Sequence, residues 1–147
     1  MESVIVPLTD LDTEVLKPLL DESLSEGYRF VQTLHDEHLS GANRFDTPGA
    51  ALLGIYQHGQ MIAIGGIHQD PYLQRTDIGR IRHVYVLNAY RRHGVGRLLL
   101  DTLVEKAREH FSLLTLRTNT AAAAAFYEAI GFSSEPRFPD ATHWLEL

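Results

Sequence analysis

The sequence predicts a mixed α/β fold in which helices flank one sheet, and three observations carry that expectation. Hydrophobic periodicity alternates between the strand and helix repeats in the order strand, two helices, three strands, helix, strand, helix, strand. A chain of 147 residues, 44% hydrophobic, can bury one ordinary core but not two, so residues 1–147 read as a single domain. Clusters of Gly, Pro, Asn and Asp separate the periodic stretches at loop spacing.

Residues 1–8 read as a strand. Asp12 or Thr13 then caps a helix running to about Leu24, with Val15, Leu16, Leu19, Leu20 and Ser23 near helical spacing. A second helix is predicted between Tyr28 and Leu39, ending near Gly41, and residues 40–50 form a loop. Residues 51–57 and 60–69 make a hairpin around a His58-Gly59 turn; after the loop at 70–77, residues 78–86 add a strand. From Gly94 to about His110 an apolar stripe of Val95, Leu98, Leu99, Thr102, Leu103 and Ala107 marks a helix, with Asp101, Glu105, Arg108 and Glu109 facing away. Residues 113–118 are a strand. Asn119 or Thr120 starts a short helix that is carried by five alanines and stopped at Gly131, and residues 142–147 form the last strand.

The formal net charge of −6 argues against a general nucleic-acid surface, but it hides an uneven distribution. Residues 75–97 hold six arginines (Arg75, Arg80, Arg82, Arg91, Arg92 and Arg97) against one acid, Asp77. Residues 1–37 hold nine acids against Lys17 and Arg29. One segment should attract anions and the other cations. No apolar run approaches the roughly 20 residues that cross a bilayer, and nothing resembles a signal peptide, so a soluble cytoplasmic protein with no membrane partner is expected. With no cysteine, disulfides, thiolate metal sites and cysteine nucleophiles are excluded. The run HDEH at 35–38 departs from His-Glu-x-x-His and offers no third ligand, so no metal is expected. No serine sits in Gly-x-Ser-x-Gly.

The chemistry concentrates where the strand at 78–86 gives way to the helix at 94, in the run YRRHGVG. Such a junction leaves backbone amides pointing outward at the positive end of the helix dipole, which favours anions. Glycines at 94 and 96 would let a ligand approach the backbone, and Arg91, Arg92 and Arg97 would add charge-assisted bonds to phosphate oxygens. Other phosphate motifs fail here. There is no Gly-x-x-x-x-Gly-Lys, Leu99 stands at the third glycine of Gly-x-Gly-x-x-Gly, and the strand at 113–118 supplies no acid for a ribose.

What remains, Arg91-x-x-Gly94-x-Gly96, resembles the acetyl-CoA signature of the GCN5-related N-acetyltransferase (GNAT) family, Gln/Arg-x-x-Gly-x-Gly/Ala. Asn119, Ala122 and FYEAIGF from Phe126 to Phe132 resemble that family's second block. The likeness covers residues 51–147 by motif and the first fifty only by their helix pattern. It implies a mostly antiparallel sheet, splayed between the strands at 78–86 and 113–118. Pantetheine would lie in the gap against the backbone of Val84, Tyr85 and Val86, and the amides of Arg92, His93, Gly94, Val95, Gly96 and Arg97 would hold the diphosphate. Asn119 would bond the pantetheine or cap its helix; Ala122 and Phe126 would lie alongside, and Tyr127 would protonate the departing sulfur.

Where many members of that family carry a glutamate, this chain has Arg80, Ile81 and Arg82, leaving His83, His68, Asp70 or water as the base. Strand alternation places His83 on the face opposite Arg82 and Val84. The first two helices would border the acceptor pocket, where their acids would favour a cationic amine. The implied activity is acetyl transfer from acetyl-CoA to a primary amine of a small molecule or peptide, without metal or nucleic acid, with monomer and homodimer both open. A non-catalytic acyl-CoA-binding module and a nucleic-acid binder using residues 75–97 are the alternatives.

Overall fold

The structure is a computed structural model that describes residues 2–147; Met1, the start of the expected first strand, lies outside the described residues. Six strands form one sheet in chain order: β1 (Val4–Pro7), β2 (Ala51–Gln57), β3 (Gln60–Gln69), β4 (Ile78–Val86), β5 (Leu113–Leu116) and β6 (His143–Glu146). Helices α1 (Thr13–Ser25) and α2 (Phe30–Ser40) precede β2, α3 (Val95–Ala107) joins β4 to β5, and α4 (Ala121–Ile130) joins β5 to β6. Every neighbouring pair of strands is antiparallel except β4 and β5, which run parallel. The expected class and element order are both present.

The core is built around β3, whose residues from Met61 to Ile67 are all buried because α1 and α3 both pack against this strand. Burying an aliphatic side chain of this size contributes roughly 1.5–3 kcal/mol, so this strand anchors the sheet. Its hairpin with β2 turns through His58 (φ 52°) and Gly59 (φ 77°), two successive positive φ values whose twist matches that of the flanking strands. α1 is capped by Asp12, whose side chain accepts from the Glu14 N–H, and it buries Leu16, Leu19 and Ser23 as its spacing predicts.

Two boundaries differ from expectation. The buried face of α3 runs through Val95, Leu99, Leu100, Leu103, Val104 and Ala107, while Leu98, read as part of the stripe, is 39% exposed. The helix also ends at Ala107, and the chain then turns so that Phe111 packs beneath Gly79, where a β-carbon would lie 2.7 Å from the ring. β5 stops at Leu116 instead of reaching residue 118. Beyond it the Thr118 N–H donates to Thr142 Oγ1, drawing the chain towards β6 and away from β4. Among the described residues no helix is long and apolar enough to cross a membrane.

Candidate active site

The parallel β4–β5 ladder is short. It pairs Ile78 with Leu113, Gly79 with Leu114 and Arg80 with Thr115, and then the strands part. A buried polar cluster fixes this paired end. Asp70, 1% exposed, accepts hydrogen bonds from Thr115 Oγ1, from the Tyr72 N–H at 2.8 Å and from Arg80 Nη1 at 3.4 Å. Arg80 also donates to the Asp140 carbonyl at 2.8 Å and stacks over the Tyr72 ring at 4.7 Å. Leaving either charge unpaired in this setting would be costly. Arg80 is one of the three residues, with Ile81 and Arg82, that stand where many members of the resembled family carry glutamate, and Asp70, a candidate base by sequence, is occupied as its counter-ion.

From Ile81 to Val86, β4 has no strand partner on its β5 side among the described residues, and a cleft of about 1490 Å³ opens there, walled by residues 81–86, the chain after β5 and the inner face of α4. In this half β4 carries a bulge. Gly66 pairs with Arg82 and Ile64 with Tyr85, so His83 and Val84 together oppose Gly65, and His83 takes a left-handed φ of 60°. This corrects the alternation argument. Arg82 approaches His68 (3.4 Å), and His83 stacks on the same Phe45 ring that stacks on His68, so Arg82 and His83 share a face. Val84 lies on the other face, against α3.

His83 is nearly enclosed, its side chain 2% exposed, and neither ring nitrogen makes a well-formed hydrogen bond among the described residues, although the Phe30 backbone lies close enough to favour the charged ring slightly. Burial, and then the neighbouring Arg82 charge, push its pKa down to about 3. The nearest carboxylate is Glu37 Oε1, 3.9 Å from His83 Nε2 and itself buried without a partner. His68 is likewise lowered to about 4, by burial and then by Arg82. Both imidazoles are therefore neutral at neutral pH.

At the far end of the open strand the glycine-bearing corner takes shape. Arg92 (φ 66°) and Gly94 (φ 79°) both adopt left-handed backbone, and α3 begins directly after Gly94 with no side-chain cap. Its first-turn amides are thus available to a ligand. A β-carbon on Gly94 would meet open space, so its glycine serves the turn; one on Gly96 would lie 3.2 Å from Phe126, so that glycine lets α3 approach α4. Val95 is buried in the core, and His93 is exposed outside the cleft wall.

Arg91 is engaged elsewhere. Its Nε donates to the Val86 carbonyl at 2.9 Å, and its other nitrogens grip both oxygens of Glu26, at 2.8 and 3.1 Å. The Tyr85 hydroxyl donates to Glu26 as well (2.6 Å), and the Asn88 N–H donates to Glu22 (2.6 Å). The hydrogen bond from Arg91 holds the Glu26 carboxyl below the usual carboxylate range, while burial, then Glu26, pushes the Tyr85 phenol up. Glu22 and Glu26, at the end of α1, therefore hold the corner in place. The start of α2 lines the cleft, but no Asp or Glu does so among the described residues. Nothing local in the sequence signals this lock, whose members lie 65 residues apart.

The opposite wall carries Asn119, Ala122, Phe126 and Tyr127. Thr120 caps α4 by accepting from the Ala123 N–H, so Asn119 is free of that duty. Tyr127, 8% exposed, packs edge-on against Phe126 and Phe132; its hydroxyl has no hydrogen-bond partner within the described residues, and burial raises its pKa. It is a protonated phenol aimed at the cleft. His35 and His38 instead tie α2 to the start of α1, through Thr13 Oγ1 (2.9 Å) and the Leu11 N–H (3.3 Å).

A parted parallel pair beside an uncapped helix start is the arrangement the signature residues implied, and the family comparison decides the matter. The profile of the Acetyltransferase (GNAT) family matches residues 15–132. The chain belongs to that family. The match takes in most of α1 and all of α2, beyond the stretch that the motifs alone reach.

The GNAT fold extends over the whole chain in solved structures. A candidate acetyltransferase from Exiguobacterium sp. 255-15 is 30% identical, with a TM-score of 0.88 over 99% of this chain and 94% of that one. A GNAT family N-acetyltransferase from Escherichia coli, crystallised in complex with CoA, is 18% identical with a TM-score of 0.74, covering 98% of this chain and 81% of that one. Among curated proteins, N-acetyltransferase family 8 member 3 of Rattus norvegicus is 35% identical over 85 residues, 54% of this chain. The match spans 37% of that relative's length.

Proposed function

We propose that this GNAT chain, working as one domain over residues 1–147, transfers an acetyl group from acetyl-CoA to a primary amine of a small molecule or peptide. The observation that carries the reading is the unpaired edge of β4 running into the uncapped start of α3. An amide-bearing arm can hydrogen-bond to a free strand edge, and a diphosphate suits exposed helix amides. The E. coli relative of the same fold holds CoA, which supports the cosubstrate.

In this reading the backbone of Val84 and Tyr85 lines the arm; the Val86 carbonyl is already occupied by Arg91. The amides of residues 92–97, helped by Arg92, hold the diphosphate. Asn119, Ala122 and Phe126 bound the other side. When bound, acetyl-CoA supplies a thioester carbonyl that a neutral amine can attack. Tyr127 donates its phenolic proton to the departing sulfur and regains one from solvent. The proton leaving the amine passes to water, because a ring held at about 3 is too weak a base to keep it; His83 instead positions the amine by accepting a hydrogen bond from its N–H.

The test mixes the purified chain with acetyl-CoA and a broad panel of amines and follows thiol release. Amine-dependent release establishes the transferase. Saturable acetyl-CoA binding without release from any amine makes the chain a binding module. Salt-sensitive binding to DNA or RNA that acetyl-CoA fails to displace would instead support the nucleic-acid reading. Against that last reading, Arg75, Arg80, Arg91 and Arg97 are already paired with Asp77, Asp70, Glu26 and Asp101.

A further inference from the structure

Among the described residues, seven arginines stand on the walls of the cleft, and no acid does. Arg80, Arg91 and Arg97 have carboxylate partners, and Arg92 belongs to the diphosphate corner. Arg29, Arg82 and Arg117 have no carboxylate partner among the described residues. Arg82 and Arg117 lie two residues beyond the last ladder pair, Arg80 with Thr115, so they flank the opening where β4 and β5 separate. Arg29 sits at the start of α2, which like α3 has no side-chain cap, whereas α1 and α4 are capped by Asp12 and Thr120. The two helices left uncapped both begin on this cleft. Each presents the positive end of its dipole there.

One of these positive corners is accounted for by the diphosphate; the other is not. We propose that the acceptor amine also carries an anionic group, a carboxylate or a phosphate, seated by Arg82, Arg117 and Arg29, an inference that rests on the acetyltransferase reading above. His83 supplies the second, independent sign of a ligand, because this residue lines the cleft and its buried ring nitrogens make no well-formed hydrogen bond among the described residues. A ligand N–H satisfies that ring. Since Arg82 and His83 are consecutive, amine and anion sit within a few bonds of one another, as in an amino acid or an amino-sugar phosphate. Repulsion among the unpaired guanidiniums disfavours polyamines in the same place.

The experiment compares matched acceptors with the full chain at saturating acetyl-CoA. Phenylalanine is set against phenethylamine, glutamate against 4-aminobutyrate, and glucosamine 6-phosphate against glucosamine, with kcat/KM read from thiol release. The more anionic member of at least one pair should be preferred roughly tenfold or more, the scale of a hydrogen bond to a charged group. A preference confined to the amino-acid pairs identifies a carboxylate; one confined to the sugar pair, a phosphate. Arg117→Gln, at an exposed position that leaves packing intact, should bring the ratio towards unity, and Arg117→Glu should favour the neutral member. Arg82→Gln should shrink the same ratio. Release that is equal or faster with the less anionic member of every pair overturns the inference while leaving the enzyme standing, as does a ratio indifferent to both positions. Arginine variants that weaken acetyl-CoA binding without altering the ratio reassign these residues to the cosubstrate and also overturn it. No release with any amine removes the transferase reading itself.

Discussion

The two halves of β4 behave differently although they are one uninterrupted strand. From Ile78 to Arg80 the strand is hydrogen-bonded on both sides and locked by Asp70 and Thr115. From Ile81 onward it keeps β3 and loses β5, bulges at His83 and lines the cleft. The difference shows how a site is built by withholding secondary structure. The closed half fixes where the strands meet, and the open half exposes a backbone edge whose polar groups require another partner. The polar residues follow the same division, with Asp70 satisfied in the closed half and His83 unsatisfied in the open one.

The largest effect is expected from attacking the closed half. Asp70→Ala strips the 5%-exposed Arg80 of its counter-ion and should cost about 3–5 kcal/mol of stability, read from chemical denaturation. A cost below about 1 kcal/mol, the scale of an exposed ion pair, would mean that the clamp contributes little. Next comes the open half. Tyr127→Phe should lower turnover roughly a hundredfold or more while acetyl-CoA affinity holds; unchanged turnover would remove the proton-donor role. The corner beyond the open half calls for a matched pair, because Gly94 at φ 79° penalises most side chains. Asn and Asp both tolerate left-handed backbone, so Gly94→Asp against Gly94→Asn isolates charge, and Asp should bind acetyl-CoA roughly tenfold more weakly. Equal affinities would place the diphosphate elsewhere.

The smallest effect at neutral pH concerns the buried imidazoles. His83 is lowered from an ordinary 6.5 to about 3, so its neutral ring contributes stability fully above pH 6.5, and that contribution is lost as pH falls towards 3. His68, at about 4, acts in the same direction. Denaturation midpoints should therefore decline from pH 6.5 downward, before most carboxylates titrate. His83→Asn, which accepts the left-handed φ, should flatten that decline. Parallel pH profiles for wild type and variant would show that the ring is not buried as described.

What was legible in the sequence was local. The glycine spacing at 94 and 96, the helix stop at Gly131 and the hairpin at His58-Gly59 each depend on residues a few positions apart, and each appears where expected. The parting of β4 from β5 followed from the family resemblance, since both strands are apolar enough to pair throughout. Illegible were features that need distant partners. The bulge at His83 leaves no mark on a run such as IRHVYV, so strict alternation misplaced that ring relative to Arg82. Glu26 and Arg91 meet across 65 residues, which turned an apparent acidic acceptor surface into a brace for the corner. Glu37, seen only as part of a histidine-flanked run, proves to be the carboxylate nearest His83.

Hydrogen exchange of the purified chain with and without acetyl-CoA tests the division of β4 most directly. Binding should slow exchange at residues 84–85 and 92–97 and leave residues 78–80, already paired on both sides, unchanged. Binding that protects neither the open half of β4 nor the start of α3 would contradict it.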